Sequence, residues 1–229
     1  MLTLLALPLA LLGQQQGIAQ RLAGRVSPNV AALVEQLATA GAARGLPSDP
    51  LIQKAIEGGA KSIPDDRVAA AVRLVAMQLD IAAAALREGG PVSDTLAITA
   101  GAFALTAGLS ASDITALARV GASAQALTVG LRVAGTLAAL GVPSAEDIGL
   151  VSTTLRSGQP AESLLLLPAH VQSAVAKGST PAAAAAGLSR AAAAQARQGP
   201  PPGHGEHPPH PTPPPHPTPP PHPTPPPHP

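Results

Sequence analysis

The sequence predicts an all-α domain, a small array of antiparallel helical hairpins that is solenoid-like or an irregular bundle, with a disordered C-terminal tail. Three observations carry that prediction. Helix start and stop signals recur throughout residues 20–198, no segment alternates as a strand does, and Phe103 is the only aromatic residue in a chain without Trp, Tyr or Cys. A core of Leu, Val, Ile and Ala draws helices close together and offers no aromatic stacking platform.

Residues 1–19 are expected to be a signal peptide. An apolar run from Leu2 to Leu12 is followed by Gly13, Gln14 to Gln16, and the small-x-small site Gly17-Ile18-Ala19, which places the mature N-terminus at Gln20. No Lys or Arg precedes Arg21, which implies a start codon upstream. A bilayer core needs about 20 apolar residues, so the glutamine run argues against a span here, and none is expected after cleavage.

The helical domain, 20–198, opens at Ser27-Pro28, a cap followed by proline at the first helical position. Val30, Leu33, Val34 and Leu37 then share one stripe, and Gly45 ends it. Asp49-Pro50 opens a short helix through Leu51, Ala55 and Ile56, ended by Gly58-Gly59. Pro64 opens a long one whose Val68, Val72, Val75 and Leu79 form a buried seam before Gly89-Gly90. Later starts are Ser93-Asp94, Ser112-Asp113, Ser123, Ser144 with Asp147 at the capping-box distance, Pro160-Ala161-Glu162 and Thr180-Pro181.

The starts share a degenerate phrase: Gly45-Leu-Pro-Ser-Asp, Gly90-Pro-Val-Ser-Asp, Gly108-Leu-Ser-Ala-Ser-Asp, Gly141-Val-Pro-Ser-Ala-Glu and Gly178-Ser-Thr-Pro. Recurrence at helical-hairpin length suggests repeats, although the phrase also marks any helix end followed by any helix start. The stretch from Gly45 to Pro64, with Asp66-Arg67-Val68 after it and the Gly141 and Gly178 units, resembles an uncharacterised group of exported bacterial all-helical proteins. The resemblance covers about half of the chain and implies export and a helical fold; it brings no activity or site.

The polar residues of the domain read as structural. Asp49, Asp65, Asp66, Asp94, Asp113, Glu146, Asp147 and Glu162 sit at predicted helix starts, where a carboxylate complements the helix dipole; Arg44, Lys61, Arg87, Arg119, Arg156 and Lys177 sit near predicted ends. Asp65-Asp66 follow Pro64 and read as a first helical turn rather than a catalytic pair. Gly58-Gly-Ala-Lys61-Ser62 lacks the Gly-Lys dipeptide and preceding strand of a phosphate loop. His170 has no nucleophile elbow or Ser-x-x-Lys pair to serve, and reads as a partly exposed helical histidine. Leu164 to Leu167 read as a buried helix crossing. With 14 basic against 13 acidic residues and no charge run, a nucleic-acid partner is not expected, nor is an enzyme.

Residues 199–229 form the predicted tail, where residues 200–229 hold 18 of the 28 prolines. Such a segment cannot bury a core, and stays a solvated polyproline II rod. His204, His207, His210, His216, His222 and His228 are separated by multiples of three, the polyproline II period, so their imidazoles fall along one edge; Thr212, Thr218 and Thr224 form a second line suited to O-glycans. At roughly 3.1 Å per residue the first three histidines are about 9 Å apart and the later ones about 19 Å. His204, Glu206, His207 and His210 are therefore the candidate ligands for Zn, Ni or Cu, with His216, His222 and His228 weaker. No cofactor is required. The expectation is a periplasmic or secreted non-enzymatic interaction protein with an unknown protein or cell-envelope partner and a spacer or adhesive tail; the alternative is a transition-metal-binding or buffering protein acting through the tail histidines.

Overall fold

The computed structural model describes residues 17–90 and 94–198, and among them every regular element is a helix. The chain divides into two units, Met1–Arg197 and Gln198–Pro229. Most of the expected leader and all of the expected tail beyond Gln198 lie outside the described residues.

A helical turn at 17–22 leads into α1 (Pro28–Ala42), where the Ser27 hydroxyl accepts the Val30 amide at 3.3 Å as its spacing to Pro28 predicts. Val30 and Val34 are buried there, and Leu37 is packed against the core. α2 (Asp49–Ala60) buries Leu51, Ile52 and Ala55, and α3 (Asp65–Gly89) buries the predicted seam of Val68, Val72 and Leu79, with Val75 partly covered. Then follow α4 (Thr95–Thr106), α5 (Ala111–Ala118), α6 (Ala124–Ala139), α7 (Ser144–Arg156), α8 (Ala161–Leu165), α9 (Leu167–Ala176) and α10 (Pro181–Gln198).

Several boundaries differ from the sequence reading, each for a local reason. α5 is capped by Ser110, two residues before the expected start, because Asp113 is the partner three residues on. The Ser110 hydroxyl accepts the Asp113 amide at 3.2 Å, and Asp113 accepts the Ser110 amide at 2.8 Å. At α7 the expected Ser144–Asp147 box does not form, since Pro143 takes the cap position and Ser144 is already helical. Gly58-Gly59 lie inside α2 rather than ending it: a Cβ on Gly58 would stand 2.6 Å from Val68 Cγ2, and one on Gly59 would strike the Arg25 carbonyl. These glycines permit close approach. Leu164 and Leu167 are buried as expected, but α8 breaks at Leu166 and leaves Leu165 and Leu166 exposed.

The recurring glycine phrase has one physical meaning at Gly45, Gly108, Gly141 and Gly178. Each glycine has positive φ and donates its amide three residues back; the next residue donates five residues back, as Leu46 does to Gly41, Leu109 to Ala104, Val142 to Leu137 and Ser179 to Ala174. This double bond pattern is the Schellman ending, and Leu46, Leu109 and Val142 are buried beneath it. At the first three the phrase is thus a helix stop, an apolar anchor and the next helix start; at Gly178 the exposed Ser179 stands in the anchor's place. α2 ends the same way with Ser62 at φ 52° in the glycine position.

Packing proceeds along the sequence. α3 gathers α1, α2, α4 and α5, and α6 gathers α4, α5, α7, α8 and α9, so the principal helix pairs lie within three places of each other in the chain. Small residues bring the axes together: Gly101 lies against Ala82, Gly89 against Ala118 and Thr115, and Gly135 against Phe103. The result is an array of short helices held by aliphatic and alanine contacts, the arrangement expected of a core without aromatic bulk.

Candidate functional site

The tail positions named as metal ligands, His204, Glu206, His207, His210, His216, His222 and His228, lie outside the described residues. Among the described residues no three His, Asp or Glu side chains stand close enough to hold a metal ion. Asp65 and Asp66 are exposed in the first turn of α3, and His170 is exposed on α9. Lys61 bonds Glu57 at 2.6 Å across the end of α2, and Lys54 reaches the same carboxylate at 2.7 Å. Those two cations hold Glu57 down to about 2. Lys61 is therefore directed at its own helix, and the segment around it has no phosphate-loop geometry.

The groove beside the 17–22 turn is lined by Ile18, Leu46 and Arg21, whose guanidinium is paired with Asp49. Another, about 340 Å³ between α4 and α6, has Phe103 on its wall and Arg132 as its single charge.

Sequence reasoning missed two features. The first is Asp147, which has no exposed surface and no hydrogen-bond partner for either carboxylate oxygen. It faces inward because it shares the stripe of Leu150, Val151 and Thr154, all buried one or two turns further along α7. That periodicity was available in the sequence, but its place among the first-turn acids suggests a cap. Burial first, then the Asp113 charge, push the Asp147 carboxyl up to about 8; the Ala138 backbone acts in the opposite sense without forming a hydrogen bond of acceptable geometry. Burial also pushes the Asp113 carboxyl up, yet the Ser110 amide, the Ser110 hydroxyl and the Ser144 hydroxyl together outweigh it and leave it lowered. Two acids on neighbouring helices thus differ in charge at neutral pH. The Asp147 carboxyl is sealed from solvent, whereas Asp113 is only partly buried.

The second is an exposed apolar seam on α3. Opposite the buried Val68–Val72–Leu79 line run Ala70, Leu74, Met77, Ile81 and Ala84, alternating by four and three residues. Leu74 is 49% exposed and Met77 52%, while Ile81 is half-buried. α3 is consequently apolar on two faces, and by length and composition alone it is long enough to cross a bilayer. A single-faced seam is what a core requires; the second stripe is surplus to the fold.

The chain matches no protein-family model, no curated protein and no solved structure.

Proposed function

We propose that this chain is an exported, non-enzymatic helical interaction protein whose proline- and histidine-rich tail serves as a spacer or adhesive. The observation that carries the reading is the exposed α3 seam: large apolar side chains at coiled-coil spacing on a helix whose other face already supplies the core. The apolar leader, the small-x-small site and the resemblance to exported helical proteins support a periplasmic or secreted location. A tail of 31 residues from Gly199 would extend about 95 Å if it were polyproline II throughout, a length that suits a spacer.

The test is a photo-reactive residue at position 77 of the full chain, expressed in cells and followed through fractionation. A discrete crosslinked product in the exported fraction, lost when Leu74→Glu is added, is the expected result. No product, with the protein retained in the cytosol, overturns the reading.

A second reading, transition-metal capture, is favoured by the three-residue spacing of the first tail histidines. Titration of Zn, Ni and Cu into the chain with and without residues 199–229 decides it. Tail-dependent micromolar binding at pH 7.5 that is lost at pH 5.5 supports capture through His204, His207 and His210, because imidazole must be neutral to ligate.

A further inference from the structure

We infer that the α3 seam pairs with the α3 seam of a second copy of this chain, antiparallel, giving a twofold-symmetric dimer. This rests on the interaction reading above and names its partner. In an antiparallel pair the Leu74 layer meets Met77 of the other copy and the Ala70 layer meets Ile81, so large residues meet large at the centre and small meets large outside it.

The charges beside the seam obey the same symmetry. Asp66, Arg73, Asp80 and Arg87 recur every seven residues along one flank of α3, with alternating sign. About a twofold axis near Val75–Ala76–Met77, Asp66 comes to Arg87 of the other copy and Arg73 to Asp80. Every flanking contact is then opposite in sign. A parallel pairing in register would instead set that flank beside Ala71, Gln78 and Ala85 of the other copy, and leave its charges without partners. Among the described residues Asp66, Arg73 and Arg87 make no ion pair within the chain, and all three are exposed. Asp80 already accepts two bonds at 3.0 Å from Arg44, yet its side chain remains 47% exposed and can take a second cation.

The other flank is closed by the fold. Gln78 accepts the Thr106 hydroxyl at 3.0 Å and the Ala85 carbonyl accepts the Thr115 hydroxyl at 3.2 Å, so α4 and α5 shield that side and leave the charged flank to set the register.

The experiment is sedimentation velocity on the full chain over a concentration series, with helicity checked by circular dichroism for every variant. The parent is expected to show a reversible monomer–dimer equilibrium, shifted at least tenfold toward monomer by Met77→Glu. Asp66→Arg and Arg87→Glu each weaken the homodimer, because each places like charges together. Mixing those two variants restores association, since every Asp66–Arg87 contact is again opposite in sign across a heterodimer. A parent monomeric up to about 1 mM overturns the proposal. A dimer indifferent to Met77→Glu and to the charge variants overturns it as well. If the monomer instead crosslinks through position 77 to another protein or binds vesicles of anionic phospholipid, the second-copy partner is wrong; only the protein crosslink would leave the interaction reading standing.

Discussion

Asp113 and Asp147 occupy the first turns of α5 and α7, close enough for the Asp113 charge to raise the Asp147 carboxyl, yet only Asp113 is hydrogen-bonded. The unfolded Asp147 carboxyl loses its proton near 3.8 and the folded one near 8. Between those values the native state holds an extra proton, so this group makes stability fall as pH rises, by up to about 1.4 kcal/mol per pH unit, and adds no slope outside that window. The other charges on helices packed against α7, including Arg132 on α6 and Glu162 on α8, are exposed. Asp147→Asn should flatten the slope and exceed the parent in stability above pH 8 by roughly 1–4 kcal/mol. Urea unfolding at pH 5, 7 and 9 measures it; an unchanged slope would mean that Asp147 ionises freely in the fold.

Asp113 has the opposite linkage. Its carboxyl is lowered, so its contribution is present above its ordinary range and is lost as pH falls through the folded value. Asp113→Asn should cost about 1 kcal/mol at neutral pH by weakening the capping box. It should also move the upper end of the Asp147 slope to lower pH, because the repelling charge is gone. Melting curves of the single and double variants separate the two effects.

How much of this was legible follows from what a linear pattern encodes. Ser27, Ser123 and Thr180 were readable as caps because a hydroxyl three residues before a free amide is a local geometry, and all three form it. The Val68–Val72–Leu79 seam was readable from its spacing. Asp147 was ambiguous, because its stripe with Leu150, Val151 and Thr154 was readable while a first-turn acid equally suits a cap, and the neighbouring helices decide between the two. Gly58-Gly59 looked like a stop for a related reason: whether glycine ends a helix or admits a neighbour depends on Val68 and Arg25, which are remote in sequence. The tail metal positions lie outside the described residues, while the α3 seam was present in the sequence as a second 3-4 pattern masked by the first.

Glycines inside helices should therefore divide by what faces them. A Cβ on Gly89 would stand 2.4 Å from Ala118 Cβ and 2.8 Å from the Thr115 carbonyl, whereas one on Gly149 or Gly187 meets nothing within 4 Å. Gly89→Ala should destabilise by about 1–3 kcal/mol by forcing α3 and α5 apart. Gly149→Ala and Gly187→Ala should each stabilise by roughly 0.5–1 kcal/mol through helix propensity. Denaturant midpoints decide, and equal effects at all three positions would contradict the packing.

The cleavage site that the export proposal requires lies inside the 17–22 turn. Ile18 is 8% exposed and Leu22 1%, both within the main core, and Arg21 is ion-paired to Asp49. Cleavage after Ala19, as proposed, would keep Leu22 and Arg21 but remove Ile18. A chain beginning at Gln20 should therefore be less stable than one beginning at Gly17 by about 1–3 kcal/mol, and Ile18→Ala in the longer chain should reproduce most of that loss. Equal stability of the two chains would place Ile18 outside the cooperative unit.

Ser62 is the one non-glycine residue at positive φ among the described residues, and it holds the place that glycine takes at the ends of α1, α4, α6 and α9. Its amide bonds the Gly59 carbonyl at 2.9 Å and the Ile63 amide bonds Gly58 at 3.0 Å, so the turn keeps its hydrogen bonds while the Ser62 Cβ opposes the left-handed conformation. Ser62→Gly removes that opposition, at the cost of a more flexible unfolded chain, for a net gain of about 0.5–1 kcal/mol. Ser62→Val should lose about 1 kcal/mol or more, since branching at Cβ worsens the same contact. Thermal unfolding of the two variants measures the difference, and the reverse order would mean that the Ser62 side chain contributes more to the turn than its backbone conformation costs.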